Sequence, residues 1–562
     1  MDGPTKIGAH YMRQRAALLR FLTRHTRDPD IAQDLLQETW LRVALSARVR
    51  RQDRRGRSGR GQERSARRSH RWRRTCFQSG APLRRFAELH IFYPKCHLKK
   101  CRIRPGGDRM TLMSRRAFVA TLLVMEAALS SAVRAQGSPP VSAGSTLFQN
   151  VRIFDGKSGT LSAPSSVLVK GNIIERISTA PTAAEPGVTV VAGGGRTLMP
   201  GLIDAHWHAM LARVTPAQAF GDVGYNNLLA GDEATDTLMR GFTTVRDVGG
   251  PAFGLKSAID DGIVKGPRIY PSGAMITVTS GHGDFRQLTD LPRTIGGMLT
   301  RMEQIGGAIV ADSPDEVRVR AREQLMQGAS QVKLTAGGGV SSPFSPLDVT
   351  TFTEAELRAA VEAAENWGTY VAAHAFTPAA IQRSIAAGVK CIEHGTLMDE
   401  ATAKLIAEKG IWLSMQPLPE ELRLGFPVGS VQRAKADEIW PGIARSYELA
   451  KKYKIKTAWG TDVLFSRALA QQQGAILASL VRWYTPAEAL VMATSTNAEL
   501  LLLSGKRNPY PGKLGVVEQG ALADLLLVEG NPLDNINLIA DPANNFKIIM
   551  KDGNIYKNTL TR

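Results

Sequence analysis

The sequence predicts an α/β protein built on a (β/α)8 barrel, with a small β domain assembled from both ends of the body. Three observations carry this expectation. Eight apolar, strand-like runs alternate with amphipathic helical stretches between residues 198 and 505. Short β segments without helices flank that stretch on both sides, in 146–197 and 510–562. Finally, the body's histidines cluster at the C-terminal ends of the expected strands, where such a barrel opens its site. The rival, an open doubly wound sheet, needs a glycine-rich turn after its first strand, and His206-Trp207-His208 stands there instead.

The chain of 562 residues carries a net charge of +20, but that charge is local. Residues 1–110 hold 28 Lys+Arg against 9 Asp+Glu, whereas residues 111–562 hold 43 against 42. The body therefore lacks the overall basic balance expected of a nucleic-acid binder, and no nucleic-acid partner is expected for it. Three of the four cysteines, Cys76, Cys96 and Cys101, share the basic segment. Cys391 alone remains in the body, so a core rather than disulfides must hold it, and the 43% hydrophobic content over more than 400 residues can supply one.

Residues 1–109 form the basic segment. Within 12–46, Leu-Leu-Arg-Phe-Leu and the run from Arg27 to Val43 have helical spacing, with Asp28 to Asp30 offering a cap. This stretch resembles the opening helices of extracytoplasmic-function sigma factors, but no second DNA-binding region follows. From Arg48 to Arg109 the chain is arginine-rich without sustained periodicity. It reads either as a disordered basic arm that binds nucleic acid or as translation from outside the true reading frame, and the second is expected. Residues 110–135 then read as an export signal. Ser114-Arg115-Arg116-Ala117-Phe118-Val119 resembles a twin-arginine signal, with an apolar run from Ala117 to Met125 and Val133-Arg134-Ala135 as a cleavage site. The alternative is a membrane anchor or internal helix, although the run is too short for a stable span. The expectation is a start at Met110 or Met113, a mature protein from about Gln136, and a periplasmic or extracellular location.

The first β segments are Leu147–Phe154, Ser166–Ile177 and Val188–Val191, with turns at Asp155-Gly156 and Lys170-Gly171-Asn172. The pattern returns in Leu514–Val517, Ala523–Val528 and Phe546–Tyr556, where Asp552-Gly553 is a hairpin turn. A composite β-sandwich from 146–197 and 510–562 is expected. The barrel strands are expected at Leu198–His208, Phe242–Val248, Pro267–Gly273, Gln331–Ala336, Tyr370–Ala375, Val389–His394, Ile411–Met415 and Ile455–Asp462. Helical patterns include Asp315–Gln327, Glu354–Trp367 and Pro378–Ala387.

Ten histidines occur, and five of them, His10, His25, His70, His90 and His97, fall in the basic segment. The other five are His206, His208, His282, His374 and His394, of which all but His282 sit at expected strand ends. His206 and His208, two apart on a strand, project to one face and can share a metal. A lone buried histidine is usually a hydrogen-bonded core residue, but four converging on one rim form a metal-site constellation. Lys333 interrupts an apolar strand, where an unpaired ammonium is expensive, and Asp462 ends the last strand. The plain structural alternative is a buried Lys333–Asp462 salt bridge.

Pro200-Gly201-Leu202-Ile203-Asp204-Ala205-His206-Trp207-His208, the Lys333 strand, His374, His394 and Asp462 together resemble the amidohydrolase superfamily over about residues 146–558. Lys333-Leu334-Thr335-Ala336-Gly337-Gly338-Gly339-Val340, Ser280-Gly281-His282-Gly283-Asp284 and Ile392-Glu393-His394-Gly395-Thr396 resemble its Xaa-Pro dipeptidase and ochratoxin-hydrolysing members. The resemblance implies that His206, His208 and Asp462 hold one divalent metal and His374 and His394 another. Lys333, carboxylated by carbon dioxide, bridges the two. Zinc is expected, with manganese, cobalt or iron also compatible with the ligands. A neutral buried lysine can take up carbon dioxide, and paired cations around a bridging hydroxide can attack an amide. Asp462 is then the proton carrier, and His282, in the segment Ala274–Asp312, is the candidate hydrogen-bond donor to the substrate carbonyl or carboxylate. Loop structure is the plain alternative for His282.

Lesser features complete the expectations. Gly337-Gly338-Gly339 lets backbone pass close to the site rather than cradling a phosphate, since no P-loop lysine follows. Arg246-Asp247 is expected as an internal ion pair, with placement of a substrate carboxylate as the alternative. Tyr270 and Tyr370 are packing residues with polar tips. The expected activity is hydrolysis of a dipeptide or N-acyl amino acid with a free carboxylate; a homo-oligomer is left open. Rival readings are a cyclic-amide hydrolase, a mononuclear deaminase (disfavoured by Lys333), and a non-catalytic scaffold, which predicts lost ligands. A sigma-like regulator requires residues 1–110 to fold.

Overall fold

The computed structural model describes residues 144–291 and 297–560. The sigma-like stretch, the basic segment and the export signal lie outside the described residues. None of the described helices is long and apolar enough to cross a membrane.

Five strands open the body: β1 (Thr146–Ile153), β2 (Ser165–Lys170), β3 (Ile173–Ser178), β4 (Thr189–Ala192) and β5 (Thr197–Pro200). Gly171, at φ 58°, makes the β2–β3 turn that the Lys-Gly-Asn signal predicts. The barrel-forming strands follow and are given below; the last three strands are β16 (Leu525–Val528), β17 (Phe546–Lys551) and β18 (Asn554–Asn558). Asp552 and Gly553 both have positive φ, 52° and 72°, as a two-residue type I′ hairpin requires. The two ends of the body meet because β5 pairs antiparallel with β16, Leu198 opposite Leu527. The strands trace one path, β18-β17-β16-β5-β1-β2-β3, with β4 beside β1. Strand β1 pairs with β2 from Thr146 to Val151, with β4 through Thr146–Gln149 and with β5 through Arg152 and Ile153. Phe148, Val167, Ile174, Leu198, Leu527 and Ile548 form the core beneath this sheet. Leu514–Val517, expected as a strand, is not one. Gly515 turns the chain at φ 70°, and the Val517 amide donates to the Asp155 carbonyl instead of to a ladder.

A TIM-barrel-like set of parallel strands fills the middle. One arc comprises β6 (Leu202–Trp207), β7 (Phe242–Asp247) and β8 (Arg268–Pro271). The other comprises β9 (Met275–Thr277), β10 (Ala308–Val310), β11 (Val332–Thr335), β12 (Val371–Ala375), β13 (Cys391–His394), β14 (Trp412–Met415) and β15 (Thr457–Trp459). Its order is β10-β9-β11-β12-β13-β14-β15, all parallel. Cross-links join the arcs. The Ser330 amide donates to the Pro271 carbonyl at 2.8 Å, and Gln331 Nε2 donates to Asp247 and Tyr270 carbonyls. On the other side Asn497 Nδ2 donates to the carbonyls of Ile203 (2.7 Å) and Trp459 (2.8 Å).

Two expected strands are corrected. Leu198–His208 is not continuous: Gly201 separates β5, which belongs to the end sheet, from β6, which belongs to the barrel. A Cβ at Gly201 would lie 2.2 Å from the Thr243 hydroxyl, so only glycine lets the chain step between the two sheets there. Pro267–Gly273 is likewise only the first part of a bent strand. Gly273, at φ 74°, follows β8 and redirects the chain into β9, and neither β9 nor β10 falls within an expected strand. The helices lie close to expectation, at Pro314–Met326, Glu354–Trp367 and Pro378–Ala386. Thr353 and Glu356 form a capping box at the second, and Gly368 ends it in the left-handed region.

Candidate metal centre

Strand β6 delivers His206 and the residue after its end delivers His208; β12 delivers His374 and β13 His394, while Asp462 follows β15. These groups converge. The ring centroids of His206 and His394 are 4.9 Å apart, and those of His374 and His394 4.5 Å. Asp462 Oδ1 lies 3.1 Å from Nε2 of both His206 and His208. His394 and Asp462 both hold positive φ, 75° and 53°, an uncommon conformation outside glycine that places side chains at a strand end.

Each imidazole is held through one nitrogen by an acceptor, which decides where its proton sits. His208 Nδ1 donates to the Gly249 carbonyl at 2.9 Å, and His374 Nε2 to the Gly338 carbonyl at 2.9 Å. His206 Nδ1 donates to Glu393 Oε2 at 2.8 Å, and His394 Nδ1 to Gln416 Oε1 at 2.6 Å. In neutral rings the second nitrogen of each then carries a lone pair. For His206 and His208 that lone pair faces a carboxylate oxygen of Asp462, an arrangement of acceptors that repel unless a positive charge lies among them. His206, His208 and Asp462 present three ligand atoms within 4.8 Å of one another. The donor set thus fits a divalent cation, and the acceptors behind the imidazoles are the usual orienting partners of metal-ligating histidines.

Lys333 lies on β11, buried at 2% exposure. Burial pushes its pKa down against the pull of Glu393 and Asp462, which moves the group toward its neutral form. The alternative Lys333–Asp462 ion pair is not formed; Asp462 Oδ1 lies instead against Nε2 of His206 and His208. Arg246 does not pair with its neighbour Asp247 either, because adjacent strand residues point to opposite faces. Arg246 grips Glu393 through Nη2 at 2.7 and 2.9 Å. Asp247 instead accepts the amides of Ala209 (2.7 Å) and Gly249 (3.3 Å), and burial raises its carboxyl to about 7. Burial alone would also raise the Glu393 carboxyl, but the Arg246 guanidinium and the hydrogen bond from His206 outweigh it and hold it well below the usual range.

His282, expected in a loop beyond the wall, is brought against the cluster, its ring 4.3 Å from that of His374. Burial lowers its pKa to about 4, so it is neutral near pH 7. The triple glycine does admit close approach: a Cβ at Gly339 would lie 2.0 Å from His282 Nδ1, and one at Gly338 1.6 Å from the Pro346 carbonyl. Tyr270 and Tyr370 pack as expected, their hydroxyls meeting Asn508 and Arg246. Sequence reasoning missed Glu393, Gln416 and Asp204 as supports. Asp204 accepts from the His206 amide and from the amide and hydroxyl of Thr461, tying together the chain on either side of the cluster. Gln416 had one signal, its place just past the end of β14.

Comparison with known proteins agrees with this geometry. A model of the Amidohydrolase family matches residues 197–557. The ochratoxinase of Aspergillus niger is 31% identical over 372 residues, covering 61% of this chain and 72% of that protein. A solved prolidase complexed with N-methylphosphonate-L-proline is 33% identical, with TM-score 0.68 over 74% of this chain and 100% of the other. A Xaa-Pro dipeptidase with methionine bound in its active site is 30% identical, with TM-score 0.64 and the same coverages. The family match spans more than half the residues and includes every barrel strand. The protein is accordingly a hydrolase acting on amide C–N bonds, and the chain belongs to the amidohydrolase family.

Proposed function

We propose that the protein is a binuclear metal-dependent amidase that cleaves a dipeptide or an N-acyl amino acid bearing a free carboxylate. The observation that carries this reading is the clustering of four imidazoles, each with one nitrogen already committed to an acceptor, with Asp462 against two of them. His206, His208 and Asp462 would hold one cation, zinc by ligand chemistry, with manganese, cobalt or iron as alternatives; His374 and His394 would hold the second. Lys333, as the carbamate formed with carbon dioxide, would supply a further oxygen ligand to the cations. When bound, the two cations supply Lewis acidity toward a water and toward the scissile carbonyl.

The chain's own residues do the rest. Asp462, at 20% side-chain exposure, is the cluster member open to the mouth, so its carboxylate can take a proton from the attacking water and pass it to the departing amine. His282 donates a hydrogen bond to the carbonyl oxygen as negative charge develops there. Glu393, charge-paired to Arg246, keeps His206 in its ligating tautomer. The prolidase-like and ochratoxinase-like relatives support the substrate class. The two arcs of parallel strands are read as one closed eight-stranded barrel, and the end strands as a composite β-sandwich against it. Residues 110–135 are read as a cleaved export signal.

The test is a dipeptide and N-acyl amino acid library assayed with the metal-reconstituted chain, alongside a metal count per chain. Two equivalents and loss of activity on chelation are expected; one equivalent, or activity that survives exhaustive chelation, overturns the reading. Lys333→Ala should lose about 100-fold or more in kcat, by removing a group on which both cations depend. Short carboxylic acids able to fill the bridge should restore part of it. Unchanged turnover in that variant removes the carbamate from the scheme.

A further inference from the structure

We propose that Ser342 is a positioning residue that fixes which nitrogen of His282 carries the proton, with Lys435 holding the loop that presents it. This rests on the reading of His282 as the donor to the substrate carbonyl. Ser342 is fully buried, and its Oγ accepts the Gly283 amide at 2.8 Å. A backbone N–H can only donate, so the hydroxyl's own hydrogen must go elsewhere. Among the described residues the one further partner of that Oγ is His282 Nδ1, at 3.2 Å. Donation there makes Nδ1 the acceptor and leaves the ring hydrogen on Nε2. The opposite tautomer would aim Nδ1–H at the hydroxyl and strand the hydroxyl hydrogen in a buried site without an acceptor, the costlier arrangement. Ser342 therefore makes His282 an Nε2–H donor, the form needed to stabilise an oxyanion.

The surrounding loop is built to keep that hydroxyl in place. Lys435, on the helix Val431–Lys452, spends its three ammonium hydrogens on the carbonyls of Gly339 (3.2 Å), Ser342 (2.8 Å) and Ser345 (2.6 Å). Ser280 Oγ donates to the Phe344 carbonyl at 2.5 Å, which ties the His282 loop to the same segment. Gly339 leaves room for the ring, since any side chain there would overlap His282 Nδ1. None of these bonds belongs to a sheet ladder or a helix. They are spent on the mutual placement of two loops beside the cluster.

The experiment compares metal-loaded full chains on the best amide substrate of the wild type. Ser342→Ala should lower kcat about 10–100-fold with metal content unchanged and KM shifted less than about threefold, because an interaction used in the transition state is weakened. Ser342→Thr, which keeps the hydroxyl, should retain most of kcat. In a His282→Ala background, Ser342→Ala should cost less than about twofold more, since its effect runs through the imidazole. Wild-type kcat in Ser342→Ala, or a full further loss in the His282→Ala background, overturns the proposal. If Ser342→Ala fails to fold, the near-isosteric Ser342→Cys replaces it under the same criteria. Long-range proton–nitrogen correlation of the labelled histidines reads the tautomer directly. It should report Nε2–H at His282 in the wild type, and Nδ1–H there overturns the proposal. A wild type inactive on every amide, yet showing Nε2–H at His282, would overturn the proposed substrate class and not the tautomer assignment.

Discussion

His282 shows how burial writes a chemical role into a single side chain. Its ordinary pKa of 6.5 falls to about 4 in the folded protein because the charged form is stripped of water. Between about pH 4 and 6.5 the unfolded chain takes up a proton on this ring that the folded chain refuses. Stability contributed by His282 is thus present above pH 6.5 and drains away as the solution is acidified. The metal-free His282→Asn variant should therefore lose less melting temperature than metal-free wild type on going from pH 7 to pH 4.5. Equal acid sensitivity in the two proteins would show that this ring titrates normally. Asp247, raised to about 7 by burial, works in the opposite direction in both proteins and cancels from the comparison. At this scale the ligand types were legible because histidine, lysine and aspartate at strand ends are rare. Their supports were not. Glu393 looks in sequence like any acidic residue, and only the fold sets its carboxylate 2.8 Å from His206 Nδ1 with Arg246 behind it.

Strands β6 and β15 carry the two ends of the cluster, and their spacing is set by an absent side chain. A Cβ at Gly460 would stand 2.4 Å from both the amide nitrogen and the Cβ of His206, well inside any tolerated contact. Gly460→Ala should push the two strands apart just where His206 and Asp462 must share a ligand position. The expected result is about 10–100-fold weaker metal retention on dialysis, with about 1–3 kcal/mol lost in thermal unfolding. A variant that keeps both metals and the wild-type melting curve would show that the strands can relax without harm. The strands were readable as elements because apolar runs alternate with helical patterns. Their breaks were harder to see, since Gly201 and Gly273 look like ordinary strand glycines until the neighbouring Thr243 and Gln324 side chains crowd them.

Strands β16 and β17 join the barrel to the end sheet. Leu525, Leu526, Leu527, Phe546, Ile548 and Ile549 are all fully buried. Leu526, Phe546 and Ile549 belong to the barrel core, while Leu525, Leu527 and Ile548 belong to the end sheet. Losing large buried side chains costs about 2–5 kcal/mol each, and a domain has only about 5–15 kcal/mol in total. A chain ending at residue 509 should therefore fail to melt cooperatively, whereas residues 136–562 should do so, as calorimetry would show. A sharp transition in the shorter chain would mean that the barrel is self-sufficient.

Sequence alone determined the α/β alternation, the flanking β segments, the amidohydrolase-like motifs and the six candidate ligands. Each is written in local order: a period, a turn dipeptide, a residue type at a strand end. Tertiary structure decided that β5 and β6 belong to different sheets, that Arg246 answers Glu393 and not its neighbour, and that Ser342 meets His282 from 60 residues away. Those outcomes depend on which side chains occupy the same space after folding, and spacing along the chain does not encode distance across a barrel.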